Sequence, residues 1–358
     1  MRHTRCLPVL VFLAGCASAT GPSLPSLPPA RSLAEFESHL EELRGALSIP
    51  GYSAALVKGT TIVWAKGFGL ADVERGVAAT PETEYHLASL TKTFASTVIL
   101  QLVDAGKVSL DDPVSNYNIV IASSGVVRVR HLMSHTSEGV PGSRYSYNGA
   151  RFGLLDSVIA RASGQPFAER VSERILRPLQ LQRTAPNPLD GRGFSAMGLD
   201  RDLFLSRLAK PYALEGGTNA LSAYPSYFGT AAGLVSTVLD VAAYSIAMDT
   251  NAFLLPATKA LAYAPTISTS GETLPYGLGW FSTIVSGERI IWHYGYWTGN
   301  SSLIIKVPSR NIAFIILANS DMLSRPTRLG DGDLKSSSIA REFIAAFVDG
   351  SVPLPAAR

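Results

Sequence analysis

The stretch that decides the fold reads His86-Leu-Ala-Ser89-Leu-Thr-Lys92-Thr-Phe-Ala-Ser-Thr-Val-Ile-Leu100. It is almost entirely apolar or small and stops at Gly106, which predicts a buried helix. Ser89 and Lys92 stand three residues apart and therefore share one face of that helix. Burial disfavours the charged form of a lysine and lowers its basicity. A neutral amine beside a serine hydroxyl predicts a nucleophile with its proton acceptor.

Chance is the alternative explanation, because Ser-x-x-Lys is a short pattern. Among the eight lysines of the chain only Lys92 has a serine three residues before it. Partner motifs therefore decide between catalysis and coincidence. A loop ahead of a predicted helix reads Tyr145-Ser-Tyr147-Asn148-Gly149, and a predicted strand carries Trp292-His-Tyr-Gly295. Each alone is equally consistent with ordinary packing.

Strand-like runs occur near both chain ends and a helical middle separates them. Residues 52–58 and 61–68 read as a hairpin, and 289–293, 302–307 and 312–318 as three further strands. We expect an α/β fold of the α+β type, in which an antiparallel sheet from both chain ends is flanked by helices. An all-α lobe is inserted in the middle of the chain. We predict one domain over 32–355, with the α/β lobe at about 32–85 and 266–350 and the helical lobe at about 86–265. Helices are predicted at about 32–47 and 334–348.

Composition excludes several function classes. The chain has 358 residues, 46% of them hydrophobic, with 31 basic and 28 acidic residues. This near balance gives no electrostatic footprint for nucleic acid. The only two cysteines are Cys6 and Cys16, so the body of the chain has no disulfide, zinc–thiolate site or cysteine nucleophile. A nucleophile in this body must be an oxygen.

The first residues are typical of an export signal. Two arginines precede the apolar run 7–13, and this run is too short to span a membrane. Leu13-Ala-Gly-Cys16 resembles the bacterial lipobox, in which the cysteine is acylated and becomes the mature N-terminus. We predict a signal peptide over 1–15 and a lipid-anchored Pro/Ser-rich tether over 16–31, with the chain on the periplasmic side. Cleavage near Ala19 without a lipid is the alternative.

The ordered motifs resemble those of the serine β-lactamase-related family, which includes class C β-lactamases, D,D-carboxypeptidases, D-aminopeptidases and esterases of the same fold. The resemblance covers about residues 34–345. It rests on the Ser-x-x-Lys, tyrosine and histidine motifs and on the stretches 67–72, 130–137, 233–237 and 276–280. It implies the β-lactamase/penicillin-binding-protein fold and an acyl-enzyme mechanism without a cofactor or a metal.

The resemblance also implies a role for each matching residue. Ser89 would be the nucleophile and Lys92 its proton partner, while Tyr147 would act as general base for acylation and acid for the leaving group. The substrate side would be lined by Asn148, Gly149, His293, Gly295 and Tyr296. The backbone N–H groups of Ser89 and Tyr296 would form the oxyanion hole.

Two positions depart from the family pattern. Gly149 stands where asparagine is usual, and Asn148 is the neighbouring substitute. His293 stands where class C β-lactamases carry a lysine that helps to hold the substrate carboxylate. Both departures disfavour efficient β-lactam hydrolysis, and the His-x-Gly motif resembles instead the peptidase and esterase branches.

These patterns predict a serine hydrolase that acts on an ester or a D-amino-acid amide or peptide. One alternative is a catalytically silent homologue that binds cell-wall peptide or a partner protein, and another is a true class C-type β-lactamase. A Gly-x-Ser-x-Gly hydrolase is excluded because the chain lacks that motif. His131 and His135 have neither the sequence context nor a nearby third ligand for zinc, and we interpret them as a structural turn.

Overall fold

The computed structural model describes residues 24–189, 191–195 and 197–355. The predicted signal peptide, Cys16 and the first part of the tether lie outside these residues. The strands are β1 Gly51–Lys58, β2 Thr61–Asp72, β3 Val77–Ala78, β4 Tyr85–His86, β5 Ala185–Pro186, β6 Tyr212–Glu215, β7 Thr218–Leu221, β8 Leu234–Ser236, β9 Phe281–Val285, β10 Glu288–Trp297, β11 Asn300–Val307 and β12 Ile312–Ala318. The helices are α1 Leu33–Ala46, α2 Thr91–Asp104, α3 Val129–Met133, α4 Gly149–Gly153, α5 Leu155–Ser163, α6 Phe167–Val171, α7 Gly191–Ser195, α8 Arg201–Ser206, α9 Val238–Asp249, α10 Pro256–Tyr263 and α11 Ser338–Ile344.

Strands from the two ends of the chain form one antiparallel sheet, as the sequence predicted. Its order is β3-β2-β1-β12-β11-β10-β9. The two halves join where β1 pairs with β12, for example at Tyr52 opposite Ala318. This pairing brings residues more than 250 positions apart in sequence side by side, so the whole middle of the chain is enclosed between them.

The central strands are buried on both faces, and alternate residues serve two different cores. In β12, Phe314 and Ile316 pack beneath α1 and α11, whereas Ile315 and Leu317 pack against the helical lobe. The first core includes Phe36 of α1, whose ring lies 5.8 Å from that of Phe314. A strand that is buried on both faces has a continuous hydrophobic sequence, and residues 312–318 have such a sequence.

The middle of the chain is mostly helical but also contains two small sheets. Strands β4, β8 and β5 form a three-stranded sheet, and β6 pairs with β7. Each of these strands has only two to four residues, too few to show an alternating pattern. The first sheet lies near the predicted nucleophile, because β4 ends at His86, three residues before Ser89.

Helix boundaries follow local capping chemistry. Helix α1 begins after Ser32, close to the start that the sequence predicted, and the Ser32 side chain accepts a hydrogen bond from the Glu35 N–H. The predicted C-terminal helix begins later than expected, at Ser338. Ser337 caps it by accepting from the Ala340 N–H, and residues 334–336 form a separate short turn.

None of the helices in the described ranges is both long and apolar enough to cross a membrane.

Candidate active site

The predicted nucleophile and its lysine partner are in contact. A 3₁₀ turn over Ala88–Leu90 carries Ser89 into α2, so Ser89 precedes the α-helix proper rather than lying within its first turn. The Nζ atom of Lys92 lies 3.0 Å from the Oγ atom of Ser89. Ser89 is half-buried, whereas Lys92 is only 1% exposed. Ser89 is therefore the more accessible residue of the pair, and Lys92 is inside.

The surroundings of Lys92 favour its neutral form. Burial lowers the pKa of Lys92 to about 7. Within the described residues no acidic side chain pairs with Lys92, and its other hydrogen bond goes to the carbonyl of Ala231 at 2.8 Å. Its nitrogen also lies 5.1 Å from the ring centre of Tyr147 and 5.4 Å from that of Phe152. Near neutral pH this amine is poised to exchange a proton.

Tyr147 lies against the same lysine, on the loop before α4. Burial raises the pKa of Tyr147 well above its ordinary value, and the hydroxyl of Ser89 acts in the opposite direction. The ring is held by His135, at 4.3 Å between ring centres, and by stacking on Phe281 at 6.2 Å. At neutral pH Tyr147 is therefore a protonated phenol, a hydrogen-bond and proton donor.

Asn148 does not take the place of the asparagine that the family pattern puts at position 149. Its side-chain oxygen caps α4 by accepting from the Arg151 N–H, and its amide donates to Glu138. These two partners hold the side chain of Asn148, and its role in substrate binding stays a prediction. A Cβ atom at Gly149 would lie 3.9 Å from Lys92 Nζ, so the usual asparagine position borders the lysine and is filled only by glycine.

His293 is predicted to line the substrate side, but its side chain is completely buried. Its Nδ1 atom donates to the Tyr294 carbonyl at 2.6 Å, so Nε2 accepts from the Tyr276 hydroxyl at 2.8 Å. Burial lowers the pKa of His293 to about 3, with Lys92 adding to the effect. Since both nitrogens are occupied and the ring is neutral, the side chain offers no positive charge to a substrate.

Gly295 brings strand β10 directly against the nucleophile turn. A Cβ atom at Gly295 would overlap the Leu87 carbonyl oxygen and the Ser302 hydroxyl and would lie 3.1 Å from the Ala88 Cβ. The pairing of β9 with β10 ends at Trp292, so β10 extends beyond β9 at this point. Tyr296 follows on this extension and its side chain is 44% exposed. Beyond the end of β9, strand β10 therefore runs directly beside the turn that carries Ser89, and the Gly295 carbonyl accepts from the Ser324 hydroxyl at 2.9 Å.

The two histidines of residues 130–137 are structural in their contacts. His131 Nδ1 accepts from the Arg128 N–H at the start of α3. His135 Nδ1 accepts from the Asn148 N–H at 3.1 Å and so fixes the loop that carries Tyr147. Over the part of the chain that the structure describes, no three His, Cys, Asp or Glu side chains are grouped to hold a metal ion.

Two contributors to the site were missed by sequence reasoning. The Ala231 carbonyl receives Lys92, and Phe152 packs beside it. A backbone carbonyl leaves no mark in a sequence, since every residue has one. Phe152 stands five residues after Tyr147, where its position in a helix would have indicated ordinary packing.

Comparison with known proteins identifies the family to which the chain belongs. The β-lactamase family model matches residues 36–331. Protein flp of Staphylococcus aureus strain MW2 is 26% identical over 320 residues, which is 76% of this chain and 60% of that protein. The chain thus spans about three fifths of the length of that curated relative. Penicillin-binding protein 4* of Bacillus subtilis is 25% identical and is covered over 67% of its length, with 74% of this chain.

Solved structures show the same fold. The octameric penicillin-binding protein homologue from Pyrococcus abyssi superposes with a TM-score of 0.72 at 26% identity, over 87% of this chain and 80% of that one. A D-stereospecific amidohydrolase from Streptomyces gives a TM-score of 0.70 at 21% identity, over 90% of this chain and all of that one, and supports the fold alone. The family match covers most of the chain, and the chain therefore belongs to the β-lactamase family of serine hydrolases.

Proposed function

We propose that this chain hydrolyses uncharged carboxylic esters through an acyl-enzyme formed on Ser89. The observation that carries the proposal is the contact between Ser89 Oγ and a buried lysine whose pKa is lowered to about 7. A buried amine that is partly neutral near pH 7 has the proton affinity that a general base needs. The half-buried hydroxyl beside it is open to substrate.

The proton steps follow from the two pKa shifts. Lys92 takes the proton of Ser89 as Oγ attacks the substrate carbonyl, and the N–H groups of Ser89 and Tyr296 receive the oxyanion. Tyr147 then gives its proton to the departing alkoxide and is re-protonated from Lys92. Water hydrolyses the ester on Ser89 by the reverse sequence. We thus give the base role to Lys92, whereas the sequence predicted it for Tyr147, because burial keeps the phenol protonated.

The preference for an uncharged ester rests on His293. Class C β-lactamases carry a lysine at the matching position, and that lysine helps to hold a substrate carboxylate. Here the imidazole is neutral, buried and bonded at both nitrogens. With histidine in place of that lysine, a D-amino-acid peptide or a β-lactam lacks an ionic contact for its carboxylate. An ester without a carboxylate has no such contact to lose.

A substrate panel tests the proposal. The purified chain is given p-nitrophenyl esters, a D-Ala-D-Ala peptide and a fluorescent penicillin, and each is repeated with Ser89→Ala. We expect Ser89-dependent ester turnover that exceeds peptide turnover, and an acyl adduct on Ser89 by mass spectrometry. Peptide or penicillin turnover above that of the esters would contradict the ester preference. Turnover that survives in Ser89→Ala would overturn the whole proposal.

A second candidate is a slow or silent homologue that binds cell-wall peptide. It is favoured by Gly149, because no side-chain amide stands beside Lys92 at the position where the family pattern has asparagine. Its signature is a single round of acylation by the fluorescent penicillin, or peptide binding, without turnover of any member of the panel.

We also propose that the chain is exported and anchored through a lipid on Cys16. The support is the Leu13-Ala-Gly-Cys16 motif and the Pro/Ser-rich composition of residues 17–31. Mass spectrometry of the mature N-terminus tests it. A mature protein that begins after Cys16, or at an unmodified Cys16, would end this part of the proposal.

A further inference from the structure

The residue directly before the predicted nucleophile, Ala88, has an unusual backbone conformation. Ala88 has φ of 48°, in the left-handed region that residues with a side chain rarely adopt. The turn that contains Ala88 and Ser89 has no helix-capping side chain. A strained backbone of this kind persists only where its surroundings hold it in place, and such positions are concentrated at functional sites.

Two side chains hold this peptide from opposite sides. The carbonyl of Leu87 accepts a hydrogen bond from the Ser302 hydroxyl at 2.7 Å. The N–H of Ala88, in the same peptide unit, donates to His86 Nδ1 at 3.2 Å. Both side chains are buried, at 1% exposure for His86 and 0% for Ser302. Because β4 supplies one and β11 the other, the orientation of the peptide plane is set by two separate sheets.

The state of the His86 ring suits this task. An Nδ1 atom that accepts a hydrogen bond carries no proton, so the proton of the neutral ring is on Nε2. Burial lowers the pKa of His86 to about 3, so the ring stays neutral over the physiological range. In the described part of the chain, Nε2 has no hydrogen-bond partner. The ring packs edge-on against Tyr224 and Trp297, at 5.7 and 5.9 Å between centres.

The held peptide lies between the nucleophile and strand β10. A Cβ atom at Gly295 would overlap the Leu87 carbonyl oxygen, so the strand passes in direct contact with this peptide. The next N–H in the chain is that of Ser89, one of the two groups proposed to receive the oxyanion. A rotation of the Leu87–Ala88 peptide would therefore change the direction of the Ser89 N–H relative to β10.

We propose that His86 and Ser302 are positioning residues that clamp the Leu87–Ala88 peptide and thereby aim the Ser89 N–H at the oxyanion. The inference rests on the proposed function, since it requires Ser89 to be the acylated residue. His86 touches neither the reacting atoms nor Lys92 in any hydrogen bond; it acts through the backbone of Ala88.

The test uses two amides that differ in where they place an acceptor. In His86→Asn the side-chain oxygen stands at the same number of bonds from the backbone as Nδ1 and keeps the acceptor for Ala88. In His86→Gln the amide stands where Nε2 was, and the acceptor is lost. We expect His86→Gln to lower kcat for a p-nitrophenyl ester by about 100-fold with KM changed by less than about 3-fold. His86→Asn retains kcat to within about 5-fold.

Ser302→Ala is the second variant and removes the other side of the clamp. It is expected to lower kcat by about 10-fold. If His86→Gln does not fold, Ser302→Ala tests the clamp by itself. Equal kcat losses in His86→Asn and His86→Gln, or wild-type kcat in Ser302→Ala, would overturn the inference. Ser89→Ala separates the two proposals: if it is inactive while the clamp variants behave like wild type, the proposed function stands and only the clamp fails.

Discussion

The Nζ atom of Lys92 lies 3.0 Å from the Oγ atom of Ser89, at a position where the lysine is 1% exposed. A lysine in water is almost fully protonated at neutral pH and cannot accept a proton from serine. Burial, with a carbonyl rather than a carboxylate as its second partner, brings the pKa to about 7. The spacing of three residues brings the two side chains together, and burial in the protein interior lowers the pKa of the lysine.

The pH dependence of activity is the first prediction. Because the proposed base is the neutral amine of Lys92, we expect kcat/KM to rise about tenfold per pH unit below pH 6 and to level off above pH 8. Lys92→Arg, which cannot release a proton at these pH values, loses at least about 100-fold. Lys306→Met is the matched control, because Lys306 is equally buried but contacts Asp249. An acid limb that moves in the control, or that lies near pH 5, contradicts the assignment.

The second prediction concerns Glu84, which is fully buried and whose carboxyl oxygens accept no hydrogen bond within the described residues; Arg183 approaches one of them to 3.9 Å. Burial raises the pKa of Glu84 to about 8. Between pH 4.5 and 8 the folded state retains a proton that the unfolded state releases. The free energy of unfolding therefore falls as pH rises, by at most about 1.4 kcal/mol per pH unit from this group.

Glu84→Gln keeps a neutral side chain and removes this pH dependence. The free energy of unfolding, measured in urea, is expected to differ less between pH 5 and pH 8 in Glu84→Gln than in the wild type. Glu82→Gln, on the exposed surface two residues away, is the control and leaves the difference unchanged. An unchanged difference in Glu84→Gln would sink the prediction.

The third prediction tests the partner of His293. Tyr276→Phe removes the hydroxyl that donates to His293 Nε2 and leaves that buried nitrogen without its donor. We expect a loss of about 1–3 kcal/mol in the free energy of unfolding, measured in urea. Tyr263→Phe is the matched control, since the Tyr263 hydroxyl is buried but makes no hydrogen bond. Equal losses in both variants would show that the Tyr276–His293 bond contributes nothing specific.

The fourth prediction concerns the close approach of β10 to the nucleophile turn. Gly295→Ala places a methyl group onto the Leu87 carbonyl and the Ser302 hydroxyl, so the strand must retreat from Ser89. We expect ester turnover to fall by at least about tenfold, because the donor on β10 moves away from the oxyanion.

Gly45→Ala is the control for adding a methyl group at a glycine. It lies in α1 with open space around the new methyl and is expected to stabilise the protein by about 0.5–1 kcal/mol. Full activity in Gly295→Ala would contradict the packing argument.

Local patterns predicted much of the fold because they record local physics. The N-cap at Ser32, the hairpin of β1 and β2 and the buried run of β12 each have a signature within a few residues. The short strands of the middle region did not, because two to four residues hold too little periodicity. Helix α11 begins later than predicted because Ser337 caps it, whereas residues 334–336 form a separate short turn.

By itself the sequence determined which chemical groups the chain offers: the hydroxyl of Ser89, a lysine three residues later, and a glycine at Gly295. The tertiary structure alone decided their states. It buried Lys92 without a counter-ion, occupied both nitrogens of His293, and turned Asn148 toward Glu138. The reason is physical: protonation and hydrogen-bond partners depend on the dielectric and on neighbours brought from distant parts of the chain, and neither is local to a motif.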